Sequence, residues 1–153
     1  MEIIPYITEE VTRQGHDIHT KDGLERVGWM LDGWCYALSG TEHDRVRPTV
    51  FDAETLGKMI EPSKNVYGFR LVNVRVGMRS CPDYSEVRPK IVTLFEEGDL
   101  LTPIEFYKEF ELIHPFRDGN GRVGKIIYSW LLGRLHDPIF PPGDLFGAVI
   151  RNP

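Results

Sequence analysis

Ile113-His114-Pro115-Phe116-Arg117-Asp118-Gly119-Asn120-Gly121-Arg122-Val123-Gly124-Lys125 is the stretch that decides how this chain reads. A helix-like pattern runs into His114, and another starts near Arg122. The glycine-rich turn therefore lies at a helix N-terminus, where unpaired backbone N–H groups and the positive end of the helix dipole favour an anion. Gly119 and Gly121 are expected to take positive φ and let the backbone approach a ligand closely. Arg122 and Lys125 lie one turn apart and can reach toward one anion. Asp118 offers a hard oxygen ligand for Mg²⁺, which binds through few carboxylates plus phosphate oxygens. His114 is the group in the stretch whose ordinary pKa suits proton transfer near neutrality. Together these residues point to nucleotide-dependent group transfer.

Three competing readings explain less. A tight hairpin turn accounts for Asp-Gly and Asn-Gly but not for His-Pro-Phe or the Arg/Lys pair. A calcium loop starting at Asp118 places Arg122 at its fifth position and Val123 at the sixth, where glycine is needed. A P-loop fits Gly119 to Lys125, but the next residue is Ile126 rather than the Ser or Thr that holds Mg²⁺, and the further strands of an α/β domain do not follow.

At these residues the chain resembles the Fic family, whose signature is His-Pro-Phe-x-Asp/Glu-Gly-Asn-Gly-Arg-x-x-Arg. His114 to Arg122 match every fixed position, and Lys125 replaces the final Arg. The resemblance implies a mainly α fold, a helical bundle with a short β-hairpin flap, and Mg²⁺-ATP-dependent transfer of AMP to a Ser, Thr or Tyr hydroxyl of a target protein. It implies His114 as general base, Asp118 as the Mg²⁺ ligand, and Gly119, Asn120, Gly121, Arg122 and Lys125 as the nucleotide-binding set. Lys125 presents a point charge where Arg would present a planar fork. The glycine segment has the AMP-transfer form. Transfer of UMP, phosphocholine or phosphate, as by the toxin of a toxin–antitoxin pair, is the alternative on the same fold. A nucleotide-binding interaction module without turnover is the alternative from another class.

The bulk numbers agree with one domain over residues 1–153. A net charge of −5 argues against nucleic acid as the main partner. No apolar run approaches the length of a membrane span. Cys35 and Cys81 are too few for a disulfide framework and lack metal-ligand spacing. They read as thiols, with Cys35 in the core. No signal peptide is recognisable, so the expected address is cytoplasmic, with export by a signal-free route leaving no mark.

Residues 1–23 read as mostly polar, with His16 and His19 at the surface. A helix is expected from Leu24, with Leu24, Val27, Leu31, Trp34, Cys35 and Leu38 inward and Ser39-Gly40 as its stop. Thr41 to Pro48 reads as a loop, Asp52 to Ile60 as a helix, and Ser63-Lys64-Asn65 as a turn. The β-formers of Tyr67 to Val76 predict a short β element, which the resemblance implies is the flap, at about 67–78, followed by irregular chain to Tyr84. Within it, Gly68, Phe69, Arg70 and Leu71 are the candidate target-docking residues, with Gly68-x-Arg70 resembling the flap start of the family. Ser85 to Glu97 is expected as a helix with Pro89 in its first turn. Thr102-Pro103-Ile104-Glu105 signals a capped helix start, with Ile104, Tyr107, Phe110 and Ile113 buried. Arg122 to Leu135 is the last helix, and the segment 114–135 holds the active-site loop and helix. Many relatives are held off by an inhibitory helix bearing Ser/Thr-x-x-x-Glu-Gly/Asn. Here only Thr93 to Gly98 matches, and it reads as a helix end. An inhibitor is therefore expected to be absent or to be a separate small protein.

Overall fold

The computed structural model describes residues 1–143. Their element order is α1 (Ile3–Arg13), α2 (Lys21–Glu42), α3 (Val50–Ile60), the strand pair β1 (Arg75–Val76) and β2 (Arg79–Ser80), α4 (Tyr84–Glu97), a single 3₁₀ turn, α5 (Pro103–Ile113) and α6 (Asn120–Leu132). The mainly helical fold with a small antiparallel hairpin agrees with the expectation. α6 packs against α2, α3 and α5, and α1 packs on α2. One core joins them through Trp34, Leu56, Ile60, Phe110, Phe116, Ile126 and Trp130. Among the described residues, no helix is long and apolar enough to cross a membrane.

Local chemistry sets the helix starts. Thr49, Asp83 and Thr102 each close a capping box, with Asp52, Glu86 and Glu105 as the reciprocal carboxylates. The segment read as polar contains α1, whose buried Tyr6, Ile7 and Val11 share their stripe with the buried Glu10. Ile3, Tyr6, Ile7 and Val11 recur at helical spacing, so the period is present in the sequence despite the polar average of the segment.

Several sequence expectations are corrected. α2 begins at Lys21 and runs past Ser39-Gly40 to Glu42. Its buried face is Met30, Gly33, Trp34, Ala37 and Gly40, whereas Leu24 and Cys35 are exposed. Small residues form that face because neighbours come close. A Cβ on Gly33 would meet Ile126 at 3.2 Å, and one on Gly40 would meet the Trp130 ring at 2.8 Å. Pro89 lies in the second turn of α4, since the helix starts at Tyr84. In α5, Phe106 is buried while Ile104 is only half-buried. α6 ends at the left-handed Gly133 rather than at Asp137-Pro138, and Leu135 packs inward beyond the helix. The flap ladder is confined to residues 75–80, pairing Arg75 with Ser80 and Val76 with Arg79. The β-formers before it do not pair as a strand, because Phe69 and Arg70 turn into the core at the left-handed Gly68. The expected tail from Ile139 onward lies outside the described residues after Gly143.

Candidate functional site

α5 delivers His114 as its C-cap, in the left-handed region at φ 52°, ψ 64°. A non-glycine residue there costs roughly 1–2 kcal/mol, so the surroundings must impose the geometry. His114 is 3% exposed. The turn that follows is braced by Asn120, whose Oδ1 accepts from the Phe116 N–H at 2.8 Å and whose Nδ2 donates to the Phe116 carbonyl at 2.9 Å. The Phe116 ring fills a slot beside Gly57, where a Cβ would lie 2.1 Å from the ring. Asn65 ties the turn to α3, donating from Nδ2 to the carbonyls of Gly57 at 2.9 Å and Asp118 at 2.8 Å.

Gly119 is the N-cap of α6 and has φ +81°, so glycine is required there. Gly121 does not share this property, because it lies within the helix. Its missing side chain instead leaves room for Gln14 of the α1 C-cap, whose Nε2 lies 2.8 Å from where a Cβ would stand. The first-turn amides of α6 have no intrahelical carbonyl to donate to.

Charge collects around that mouth. Arg122 is fully buried, with Nη2 2.9 Å from Glu61 Oε2 and 3.7 Å from Asp118 Oδ1. The Glu61 contact has ion-pair distance without hydrogen-bond alignment, and Nε, Nη1 and Nη2 of Arg122 all lack a hydrogen-bond acceptor. Glu61 is also held in a two-point grip by Arg26, at 2.7 and 3.2 Å. Lys64 binds Asp118 Oδ2 at 2.6 Å, and the Gly119 N–H donates to Oδ1 at 2.7 Å. Burial pushes the Asp118 carboxyl up, but Lys64, the Gly119 amide and Arg122 together hold it below the ordinary aspartate value. His16 is lowered by burial and by the charges of Arg122 and Arg26, which places it beside the same cluster. Arg26, Lys64 and Arg122 face Glu61 and Asp118, three cations to two carboxylates, so the mouth is locally positive within an acidic chain.

Asp118 also meets a simple test for Mg²⁺. It is a low-pKa carboxylate that already holds a cationic ammonium at one oxygen. Among the described residues, no group of three or more His, Cys, Asp or Glu side chains is placed to hold a metal. A single carboxylate is compatible with Mg²⁺, which ordinarily takes one or two carboxylates from a protein when phosphate oxygens complete its shell.

The remaining candidates are placed differently. Lys125 Nζ sits 2.9 Å from Glu10 Oε2 and 3.3 Å from the Tyr107 hydroxyl, so its ammonium is engaged with α1 and α5. Glu111 lies in the same buried cluster. Burial pushes it up to about 7, with Lys125 opposing and Glu10 reinforcing the shift. Of the docking candidates, Leu71 is exposed, whereas Phe69 and Arg70 are buried and their side chains are not presented to a partner. Sequence reasoning did not find Glu61, Arg26, Gln14 or His16. They lie on three other segments, and no local pattern marks them. Asn65 was legible only as a turn residue.

A groove of about 830 Å³ runs between α4 and α5, lined by Pro89, Leu94, Leu101 and Leu112 among others. Thr93 and Glu97 of the inhibitory-motif match line this groove, and none of the residues from His114 to Lys125 does.

The Fic/DOC family model matches residues 51–132, more than half of the chain, and the chain belongs to that family. Its members usually catalyse nucleotidyl or related transfer. The fold is similar to the solved structure of Fic-1 (aa134–508) from C. elegans, with a TM-score of 0.65 and 16% sequence identity. That alignment covers 86% of this chain and 43% of the other, so the chain spans less than half of the relative's length. Among curated proteins, none matches this chain.

Proposed function

We propose that this chain is a protein adenylyltransferase, transferring AMP from Mg²⁺-ATP to a Ser, Thr or Tyr hydroxyl of a target protein. The observation that carries the reading is the state of Arg122. It is a fully buried guanidinium whose donor nitrogens lack hydrogen-bond acceptors, set at the first turn of α6, where backbone amides have no intrahelical carbonyl to donate to. Buried donors without acceptors are costly, and an anion supplies what they lack.

In this mechanism the Asn120 and Gly121 amides and Arg122 bind the phosphates, fixing the α-phosphorus before the target arrives, while the Gly119 amide steadies Asp118 and its left-handed turn lets the backbone come close. The Asn120 side chain keeps the turn closed and does not itself reach out, because both its polar atoms bond Phe116. His114 takes the proton of the attacking hydroxyl. The hydroxyl oxygen bonds to the α-phosphorus as the bond to the bridging oxygen breaks, and pyrophosphate leaves. When bound, Mg²⁺ would be held by Asp118 and phosphate oxygens, supplying positive charge against the leaving group. Leu71 and the exposed flap residues Val72 and Met78 offer an apolar seat for the target segment. A small inhibitory protein partner and a cytoplasmic setting belong to the same proposal.

The test uses α-labelled ATP, GTP, UTP and CTP with a lysate and Mg²⁺, comparing the wild type with His114→Ala. Label from ATP is expected on protein in the wild type and is expected to vanish in the variant, while ATP binding persists. Full transfer by the variant would remove His114 as the base. Label from another nucleotide would move the reading to a different group.

A further inference from the structure

A single buried side chain joins the flap to the turn that carries His114. Arg70 donates from Nε to the His114 carbonyl at 2.8 Å and from Nη2 to the Ile113 carbonyl at 3.3 Å. Its backbone N–H donates to the Pro115 carbonyl at 2.9 Å. Three consecutive carbonyls, those of Ile113, His114 and Pro115, thus accept from one residue. The same guanidinium reaches the other way. Nη1 donates to the Val72 carbonyl at 2.9 Å and Nη2 to the Pro82 carbonyl at 2.6 Å, on either side of the β1–β2 hairpin. Arg70 is 3% exposed, and its donors meet five carbonyls on two segments when the backbone amide is included. A second tie runs in parallel, from Arg79 Nη1 on β2 to the Leu112 carbonyl at 3.2 Å.

These contacts address the backbone strain already described. His114 is held at φ 52° and ψ 64°, and the residue before a proline ordinarily prefers extended geometry. Helix C-terminal carbonyls also lack helical donors. The Arg70 fork supplies donors at the position where the chain leaves α5. Its planar geometry fixes the directions of the carbonyls it binds, and a lysine ammonium would not.

We infer that Arg70 is a positioning residue that couples the placement of the flap to the backbone conformation of His114. A target segment lying on the exposed Leu71, Val72 and Met78 displaces the Val72 end of the clamp, and the guanidinium transmits that displacement to the His114 carbonyl. Docking and base orientation then form one mechanical unit. The kinetic consequences rest on the transferase reading above, but the coupling itself does not.

Arg70→Lys and Arg70→Gln test this, each checked for folding by circular dichroism. The first readout is the His114 imidazole signal in histidine-labelled protein, assigned by its absence in His114→Ala. It is expected to move in chemical shift and titration midpoint in either folded variant. The second is steady-state AMP transfer, where kcat is expected to fall about a hundredfold, the scale of a misplaced reacting group. KM for ATP is expected to stay within about threefold of the wild type, since the phosphates bind on α6. An unmoved imidazole signal, or equal losses in kcat and ATP affinity, overturns the coupling. If the wild type transfers no AMP, the transferase reading fails and the imidazole signal alone decides the clamp. Should Arg70→Lys not fold, Arg70→Gln is read by the same criteria.

Discussion

Replacing Glu61 by Gln isolates the charge that balances the α6 mouth. Glu61 is 1% exposed, and it is the carboxylate nearest to Arg122, which has no exposure at all. The substitution keeps the shape of the side chain but leaves two guanidinium groups, those of Arg26 and Arg122, facing a neutral amide. Removing one partner of a buried ion pair costs about 3–5 kcal/mol. Arg26 retains 15% side-chain exposure and can turn toward water, so the lower end applies, about 3 kcal/mol. For a chain of this size that corresponds to a fall in Tm of roughly 10 °C. Urea unfolding followed by circular dichroism measures it. A second arm adds inorganic pyrophosphate, an anion without chemistry to perform. At a hundredfold excess over Kd, a ligand that binds only the folded state adds about 2.7 kcal/mol. With its own carboxylate gone, Arg122 is expected to bind pyrophosphate more tightly in the variant, so the anion restores more stability there than in the wild type. A loss below about 1 kcal/mol would show that Glu61 does not balance a buried charge. Equal stabilisation of both proteins by pyrophosphate would show that the anion does not reach Arg122.

Two further outcomes follow from the same contacts. Glu111 is protonated more readily folded than unfolded, with its midpoint raised from 4.5 to about 7. Its contribution is complete below pH 4.5 and is lost as pH rises toward 7, a decline of up to about 3 kcal/mol. Unfolding titrations of Glu111→Gln are expected to lack that decline, and an unchanged pH profile would refute the assignment. Gly57→Ala places a methyl 2.1 Å from the Phe116 ring, so the ring must leave its slot. The expected cost is about 1–3 kcal/mol by denaturant melt, together with weaker ATP binding as the motif turn shifts. Unaltered stability would mean that the slot is not filled as described.

The motif turn was legible because its demands are local. A left-handed N-cap requires Gly119, a short amide side chain at Asn120 closes the turn onto Phe116, and a capped start at Thr102 sends α5 toward His114. α2 was legible as a helix but not in its orientation. Its buried face consists of Gly33, Ala37 and Gly40 beside Met30 and Trp34, and small residues carry little weight in a hydrophobic period. α1 differs, since Ile3, Tyr6, Ile7 and Val11 carry a clear helical period that the polar composition of residues 1–23 outweighs only when the segment is averaged. The hairpin was placed too early because β-branched residues favour strands wherever they occur, while pairing is decided by partners that Phe69 and Arg70 do not meet. Arg70 and Glu61 show the limit most clearly. Charged residues ordinarily indicate surface, and nothing near them in sequence reveals that their partners lie 35 to 61 positions away.

Lys125 shows how one substitution changes meaning once its surroundings are known. In the sequence it is a weakened Arg, a point charge beside a phosphate site. In the structure its ammonium lies between Glu10 and Tyr107, in a cluster that also contains the raised carboxyl of Glu111. A compact ammonium with three donors suits such a cluster, because it serves several acceptors without needing a common plane. A phosphate drawing Lys125 outward would leave Glu10, which has no exposure, with its carboxylate uncompensated. The two basic residues of the motif therefore divide their roles. Lys125 binds α6 to α1, which in turn sets Gln14 over Gly121. In the proposed transferase, phosphate recognition at the mouth would fall to Arg122, whose guanidinium nitrogens lack hydrogen-bond acceptors, and to the first-turn amides of α6.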